Sequence, residues 1–151
     1  MISRPERPSP AFDRIFDFIF NEIQSKICEL CVNRNSLCVV KLIVAGTTRQ
    51  DQQQHIMSKI REKVVDIACD PFGNYAITEI ITTWPKSVCE PIFESLRSHI
   101  AELCIQKYSS PVLERCLEFA PDETRSQYIT ELVLCDRLPT LIKNSYGNYV
   151  I

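Results

Sequence analysis

A seven-residue pattern recurs along this chain and limits what it can fold into. Phe72-Gly73-Asn74-Tyr75-Ala76-Ile77-Thr78 returns near the C-terminus as Tyr146-Gly147-Asn148-Tyr149-Val150-Ile151, in the same order of aromatic, glycine, amide, aromatic and aliphatic pair. Two looser copies fill the interval, Asn35-Ser36-Leu37-Cys38-Val39-Val40-Lys41 and Tyr108-Ser109-Ser110-Pro111-Val112-Leu113-Glu114. With Cys38, Tyr75, Pro111 and Tyr149 taken as one position, the steps are 37, 36 and 38 residues, within the range of stacked helical repeats. In such a chain each repeat buries its apolar face only against its neighbours.

Around the motif the apolar residues keep helical spacing. Phe12, Ile15, Phe16, Ile19 and Ile23 fall three or four residues apart, and later repeats supply counterparts for the last two in Ile56 and Ile60, Ile92 and Leu96, and Ile129 and Val133. A second helix is expected around Leu30, Ile67, Leu103 and Leu141, each eight residues before the reference position of its repeat. The motif opens a third, whose apolar face runs on through Ile43 and Val44, Ile80 and Ile81, and Cys116 and Leu117. Gly46-Thr47-Thr48, Trp84-Pro85-Lys86-Ser87 and Pro121-Asp122 separate helices, with Gly46 read as a C-cap glycine and Asp122 as an N-cap acid. No segment alternates with period two. The expected fold is all-α, a solenoid of about four three-helix repeats of about 36 residues each. Residues 1–10, with Pro5, Pro8 and Pro10, are expected to be a flexible lead-in. Residues 11–23 then form the tail of a preceding repeat, 24–60, 61–97 and 98–134 are complete repeats, and 135–151 is an incomplete one.

Composition narrows the function classes. With 45% hydrophobic and 24% charged residues among 151, the chain has the profile of a globular domain. No apolar run approaches the roughly 18 residues of a membrane span, so no membrane partner is expected and the chain reads as cytoplasmic. Among the eight cysteines, Cys31, Cys104 and Cys116 stand where other repeats carry aliphatic residues, which suits reduced thiols packed in a core. Cys28 and Cys31 form a lone C-x-x-C with no second pair, so no metal site or cofactor is expected. No Ser/His/Asp set, paired carboxylate or phosphate-cradling glycine loop points to an enzyme. A net charge of −2 argues against a general polyanion binder. Any nucleic-acid role has to rest on base contacts.

The motif, its register with the helical pattern and its period resemble the Pumilio (PUF) RNA-binding repeats, over about residues 11 to 151. The resemblance implies a right-handed, armadillo-like α–α superhelix whose motif-bearing helices line a concave face. Each repeat would present side chains to one base of single-stranded RNA. The last copy stops at Ile151, before its third recognition position, and the sequence reads as part of a longer protein resembling the C-terminal repeats of that family.

Carried over residue by residue, the recognition positions are Leu37, Cys38 and Lys41; Asn74, Tyr75 and Thr78; Ser110, Pro111 and Glu114; and Asn148 and Tyr149. The outer two of each of the three complete sets lie one helical turn apart on one face, which suits two contacts to one base edge, and the residue between can stack. Ser110 and Glu114 should read guanine, because a carboxylate accepts from the N1–H and N2–H donors and repels the N1 acceptor of adenine. Taken alone, the same two residues could be a helix start and a solvated first-turn acid; register with three other copies favours base contact. Asn148 implies uracil, with Tyr149 stacked on it. Asn74 and Tyr75 match that pattern, but Thr78 stands in place of the usual Gln, so uracil selection there should be weakened. Leu37, Cys38 and Lys41 offer no amide pair and no ring, so the base of the first repeat is left open. Pro111 departs from the stacking residue of the family and is tolerated in a first helical turn.

Since the family binds RNA antiparallel, the implied order is 5′-UGU-N. That core implies a post-transcriptional regulator acting on messenger RNA 3′ untranslated regions through decay or translational-repression proteins. The apolar stacking faces at the two ends are expected to support self-association. The competing reading is a protein-interaction solenoid of HEAT or armadillo type, favoured by the acidic balance and the degenerate first copy. A relative binding structured RNA without sequence preference would need a basic surface that this composition lacks.

Overall fold

The computed structural model describes residues 10–151, and residues 1–9 of the expected lead-in lie outside the described residues. The described residues contain twelve α-helices, two 3₁₀ turns and no strand. Helix α1 (Pro10–Ile23) starts at Pro10, one residue inside the expected lead-in, where proline's missing N–H costs nothing because the first helical donors are unpaired anyway. Then come α2 (Ile27–Cys31), α3 (Leu37–Gly46) and α4 (Gln50–Ile60); α5 (Val64–Cys69), α6 (Gly73–Thr83) and α7 (Lys86–Arg97); α8 (Ile100–Leu103), α9 (Ser110–Phe119) and α10 (Asp122–Leu134); and α11 (Leu138–Lys143) and α12 (Gly147–Val150). The 3₁₀ turns Gln24–Lys26 and Arg61–Lys63 lead into α2 and α5.

The helices form two ladders. One consists of the motif helices, with α3 packed on α6, α6 on α9 and α9 on α12. The other consists of α1, α4, α7 and α10. The amide of Gln52 donates to Asp17 at 2.9 Å between its first two members, α4 packs on α7, and the Tyr128 hydroxyl donates to the Phe93 carbonyl at 2.6 Å between its last two. The short helices α2, α5 and α8 sit between the two long helices that follow them. The core runs between the ladders and comprises the aliphatic pair of the motif (Ala76 and Ile77, Val112 and Leu113), Ile67, Leu103 and Leu141 of the short helices, and Ile56, Ile60, Ile92 and Leu96 of the outer ladder. Val39 and Ile151, in the first and last copies, are exposed members of otherwise buried pairs, since the neighbour that covers their counterparts is missing on that side among the described residues.

Four expectations are corrected. In the last outer helix, Tyr128 and Leu132 occupy the core, while Ile129 and Val133 are exposed. The helix carries apolar residues on two adjacent stripes, and the Tyr128 hydrogen bond to α7 selects between them. In α1, Phe20 fills the buried position rather than Ile19, which is exposed along with Ile15; the Phe20 ring meets His55 edge-on, with centroids 6.5 Å apart. Phe12 lies in α1, but its side chain is outside the described residues. Gly46 is the last residue of α3 and has no left-handed backbone. An added Cβ there would stand 2.4 Å from Cε2 of Phe16, so the glycine makes room for that ring. Asp122 is the first helical residue of α10, with Pro121 at the cap, and acts on the helix dipole rather than as a capping acceptor.

The thiols follow burial. Cys31, Cys89, Cys104 and Cys116 are buried, and Cys38 is exposed. Loss of hydration pushes the Cys31, Cys89 and Cys116 thiols up to about 12. None of the described cysteines is in a disulfide, and Cys28 donates its S–H to the Lys59 carbonyl at 3.3 Å. Among the described residues no group of three His, Cys, Asp or Glu converges to hold a metal, and no helix is long and apolar enough to cross a membrane.

Candidate RNA-binding face

An acid or amide side chain ties the turn before α3, α6 and α12, and a glycine or serine follows at the start of all four inner helices. Asp70 Oδ1 accepts the backbone N–H groups of Phe72 and Gly73, each at 2.8 Å, and Asn144 Oδ1 accepts those of Tyr146 and Gly147 at 2.9 and 3.0 Å. Asn33 does the same for Asn35 at 2.8 Å. These turns tie down donors that a helix start leaves unpaired. The next position must be small. A Cβ on Gly73 would lie 2.4 Å from the Ile67 carbonyl oxygen, and one on Gly147 2.5 Å from that of Leu141. Where serine replaces glycine, its hydroxyl donates to the equivalent carbonyl: Ser36 to Leu30 at 2.8 Å and Ser109 to Leu103 at 2.7 Å. The glycine-or-serine alternation therefore seats each inner helix against the short helix before it.

That seating brings the sequence-predicted positions into one row, on the first two turns of α3, α6 and α9 and the start of α12. Tyr75 and Tyr149 are 53% and 75% exposed, so both rings stand off the surface instead of packing between repeats. Glu114 and Pro111 are exposed, and Glu114 has no hydrogen-bond or ion-pair partner among the described residues. Ser110 is buried beside them. Asn148 is exposed and its amide is unengaged among the described residues. Asn74 is placed differently: it is 6% exposed, and its amide nitrogen donates to the Asp70 and Pro71 carbonyls at 2.8 and 3.0 Å. Thr78 is half-buried, and its hydroxyl donates to the Asn74 carbonyl at 2.8 Å. In the first repeat Leu37 is half-buried, Cys38 is exposed, and Lys41 is held by Glu79 of α6 at 3.2 Å.

Glu79 and the Asp70 and Asn144 turns are parts of this face that the motif alone did not single out. An acid or amide three residues before the Gly/Ser position was the available signal for the turns. Lys41 and Arg115 against Glu79, Glu114 and Glu118 leave the four inner helices one negative charge in excess. Arg115 is itself paired with Glu118. The face is thus equipped with aromatic rings and polar edges rather than with phosphate-neutralising charge.

Comparison with known proteins agrees with this geometry. The pattern described as the Pumilio-family RNA binding repeat matches residues 63–95 and 99–133. Pumilio homolog 12 of Arabidopsis thaliana is 34% identical over 134 residues, 89% of this chain and 22% of that protein. Pumilio homology domain family member 4 of Saccharomyces cerevisiae is 29% identical over 149 residues, 90% of this chain and 16% of that protein. The chain thus spans about a fifth of the length of the curated relatives it matches. Among solved structures, the Puf4 RNA binding domain bound to the HO endonuclease RNA 3′ UTR recognition sequence superposes with a TM-score of 0.84 at 17% identity, covering 89% of this chain and 41% of that one. The Puf3 RNA binding domain bound to Cox17 RNA 3′ UTR recognition sequence site B does so with a TM-score of 0.80 at 26% identity, covering 89% and 37%. The family is one of RNA-binding repeats and not of enzymes. The two helical ladders, the seated Gly/Ser motif starts and these similarities together place the chain in the Pumilio family of helical repeat domains.

Proposed function

We propose that this chain binds single-stranded RNA sequence-specifically, one base per repeat, with a preference for 5′-UGU-N. The observation that carries the reading is the row of motif helix starts, in which exposed Tyr75 and Tyr149 rings alternate with an exposed Glu114 that has no partner among the described residues. Stacking supplies sequence-tolerant affinity. Glu114 supplies discrimination, since its carboxylate accepts both Watson–Crick-edge donors of guanine. Uracil at the third base is the weakest part of the core, because Thr78 offers one short hydroxyl in place of a long amide. In the cell the chain would act in the cytoplasm on 3′ untranslated regions of messenger RNA, through recruited decay or translational-repression proteins. The exposed apolar side chains Ile15 and Phe18 on α1, and Ile129, Val133 and Leu134 on α10, favour self-association.

Fluorescence anisotropy with short labelled oligonucleotides at fixed salt tests the proposal, because affinities at different salt are not comparable. UGU-containing RNA should outcompete UUU and CCC of equal length, and equal affinity for all three refutes base reading. A protein-interaction solenoid is the second reading. It is favoured by the inner ladder's excess negative charge and by the exposed Cys38 and Leu42 of the first repeat, and it predicts no RNA binding at all.

A further inference from the structure

Asn74 and Asn148 occupy the same position of the same motif, yet they offer a ligand different chemistry. Asn148 keeps an open amide, which can donate and accept. At Asn74 both amide hydrogens are engaged, one by the Asp70 carbonyl at 2.8 Å and one by the Pro71 carbonyl at 3.0 Å. Helix α9 packs alongside α6, and Asn74 is buried. Its intended partner one turn on is spent in the same way, since the Thr78 hydroxyl proton points back at the Asn74 carbonyl at 2.8 Å. What remains for a base is the amide oxygen of Asn74 and the lone pairs of Thr78, which are acceptors only. The Watson–Crick edge of uracil is acceptor, donor, acceptor. Against two acceptors it gains at most one hydrogen bond, through N3–H, and turns a carbonyl toward the other acceptor. Releasing the amide would break both of these hydrogen bonds at the helix start and leave the buried Asn74 side chain to find new partners. Tyr75, 53% exposed, remains as the group that holds the base.

We propose that the second repeat is a base-tolerant position, in which Tyr75 stacks on the third base while Asn74 and Thr78 serve the helix start and do not select uracil. This rests on the RNA-binding reading and refines it, since the core that the chain discriminates becomes 5′-UG followed by any base.

The test is anisotropy competition with four RNAs differing only at the third base, UGU, UGA, UGC and UGG in a constant flank, alongside UUU to monitor the guanine position. The parent should bind the four UGN oligonucleotides within about twofold of one another, each well above UUU, as stacking without edge selection predicts. Tyr75→Ala should lower affinity for all four by a common factor of about tenfold. Thr78→Gln brings a free amide, donor and acceptor together, and should create a uracil preference of about tenfold. Selection of uracil by the parent by more than about fivefold overturns the inference and leaves RNA recognition standing. An unchanged affinity of Tyr75→Ala overturns the stacking role. Indifference at the guanine position as well, with UUU bound like UGU, refutes sequence-specific reading by the chain as a whole, and no binding to any of the five RNAs overturns the RNA-binding reading and this inference together.

Discussion

Glu114→Gln isolates base recognition from folding. The side chain is exposed on α9 and has no hydrogen-bond or ion-pair partner among the described residues, because neighbouring Arg115 is paired with Glu118 instead. Gln has nearly the same helix propensity as Glu. Stability should therefore move by less than about 0.5 kcal/mol, as for other surface changes that remove no contact. The ligand feels a larger change. A carboxylate meets guanine N1–H and N2–H with two charge-assisted hydrogen bonds, whereas an amide can accept with only one end and turns its NH₂ toward a donor. The loss should be that of one bidentate base contact, about 1–3 kcal/mol, or roughly 5- to 150-fold in affinity for UGU. Affinity for UUU should rise, since the new amide at position 114 offers a donor and an acceptor together to the uracil edge. Adding Ser110→Asn should change this little, because an asparagine at buried position 110 would donate to the carbonyls of the preceding turn as Asn74 does. Anisotropy titrations with UGU and UUU at matched salt, with melting curves of each variant, read both quantities. If parent and variants rank UGU and UUU alike, Glu114 does not read a base, and any loss of affinity is general electrostatics.

Gly73→Ala should destabilise by about 1–3 kcal/mol in urea unfolding, because the new Cβ is driven into the Ile67 carbonyl. Gly73→Ser should cost less, since Ser36 and Ser109 show the hydroxyl donating to that carbonyl; equal losses would contradict the account of the motif start. Burial holds the Cys31, Cys89 and Cys116 thiols protonated up to about 12. Their unfolded counterparts ionise nearer 8.5, so the unfolded chain binds fewer protons above that pH, and the melting temperature should fall steadily from about pH 9 to pH 12. A flat profile over that window would refute it. In native buffer a thiol reagent should modify exposed Cys38 well before the buried cysteines, as peptide mapping would show. Sedimentation velocity should show association growing with concentration, through apolar groups such as Phe18 and Leu134, and a strictly monomeric profile at high concentration would refute it.

The repeat period, the all-helical class and the candidate base-contacting positions were legible in the amino-acid sequence because each rests on local regularity. Apolar residues at helical spacing mark a buried stripe, and a motif returning every 36 to 38 residues marks equivalent places in stacked units. Where two solutions were locally equivalent, tertiary structure decided. Tyr128 and Leu132, or Ile129 and Val133, would each give α10 an apolar face, and only the approach of α7 with the Phe93 carbonyl buries the first pair. Gly46 reads as a cap from sequence and is a space for the Phe16 ring in the fold, since the residue needing that space lies 30 positions away. Asn74 and Asn148 sit in the same motif, yet one is buried with its amide on the carbonyls of its own preceding turn while the other stays open. Side-chain identity follows from the chain alone, but whether an amide is offered to a ligand depends on which backbone carbonyls and neighbouring helices reach it first.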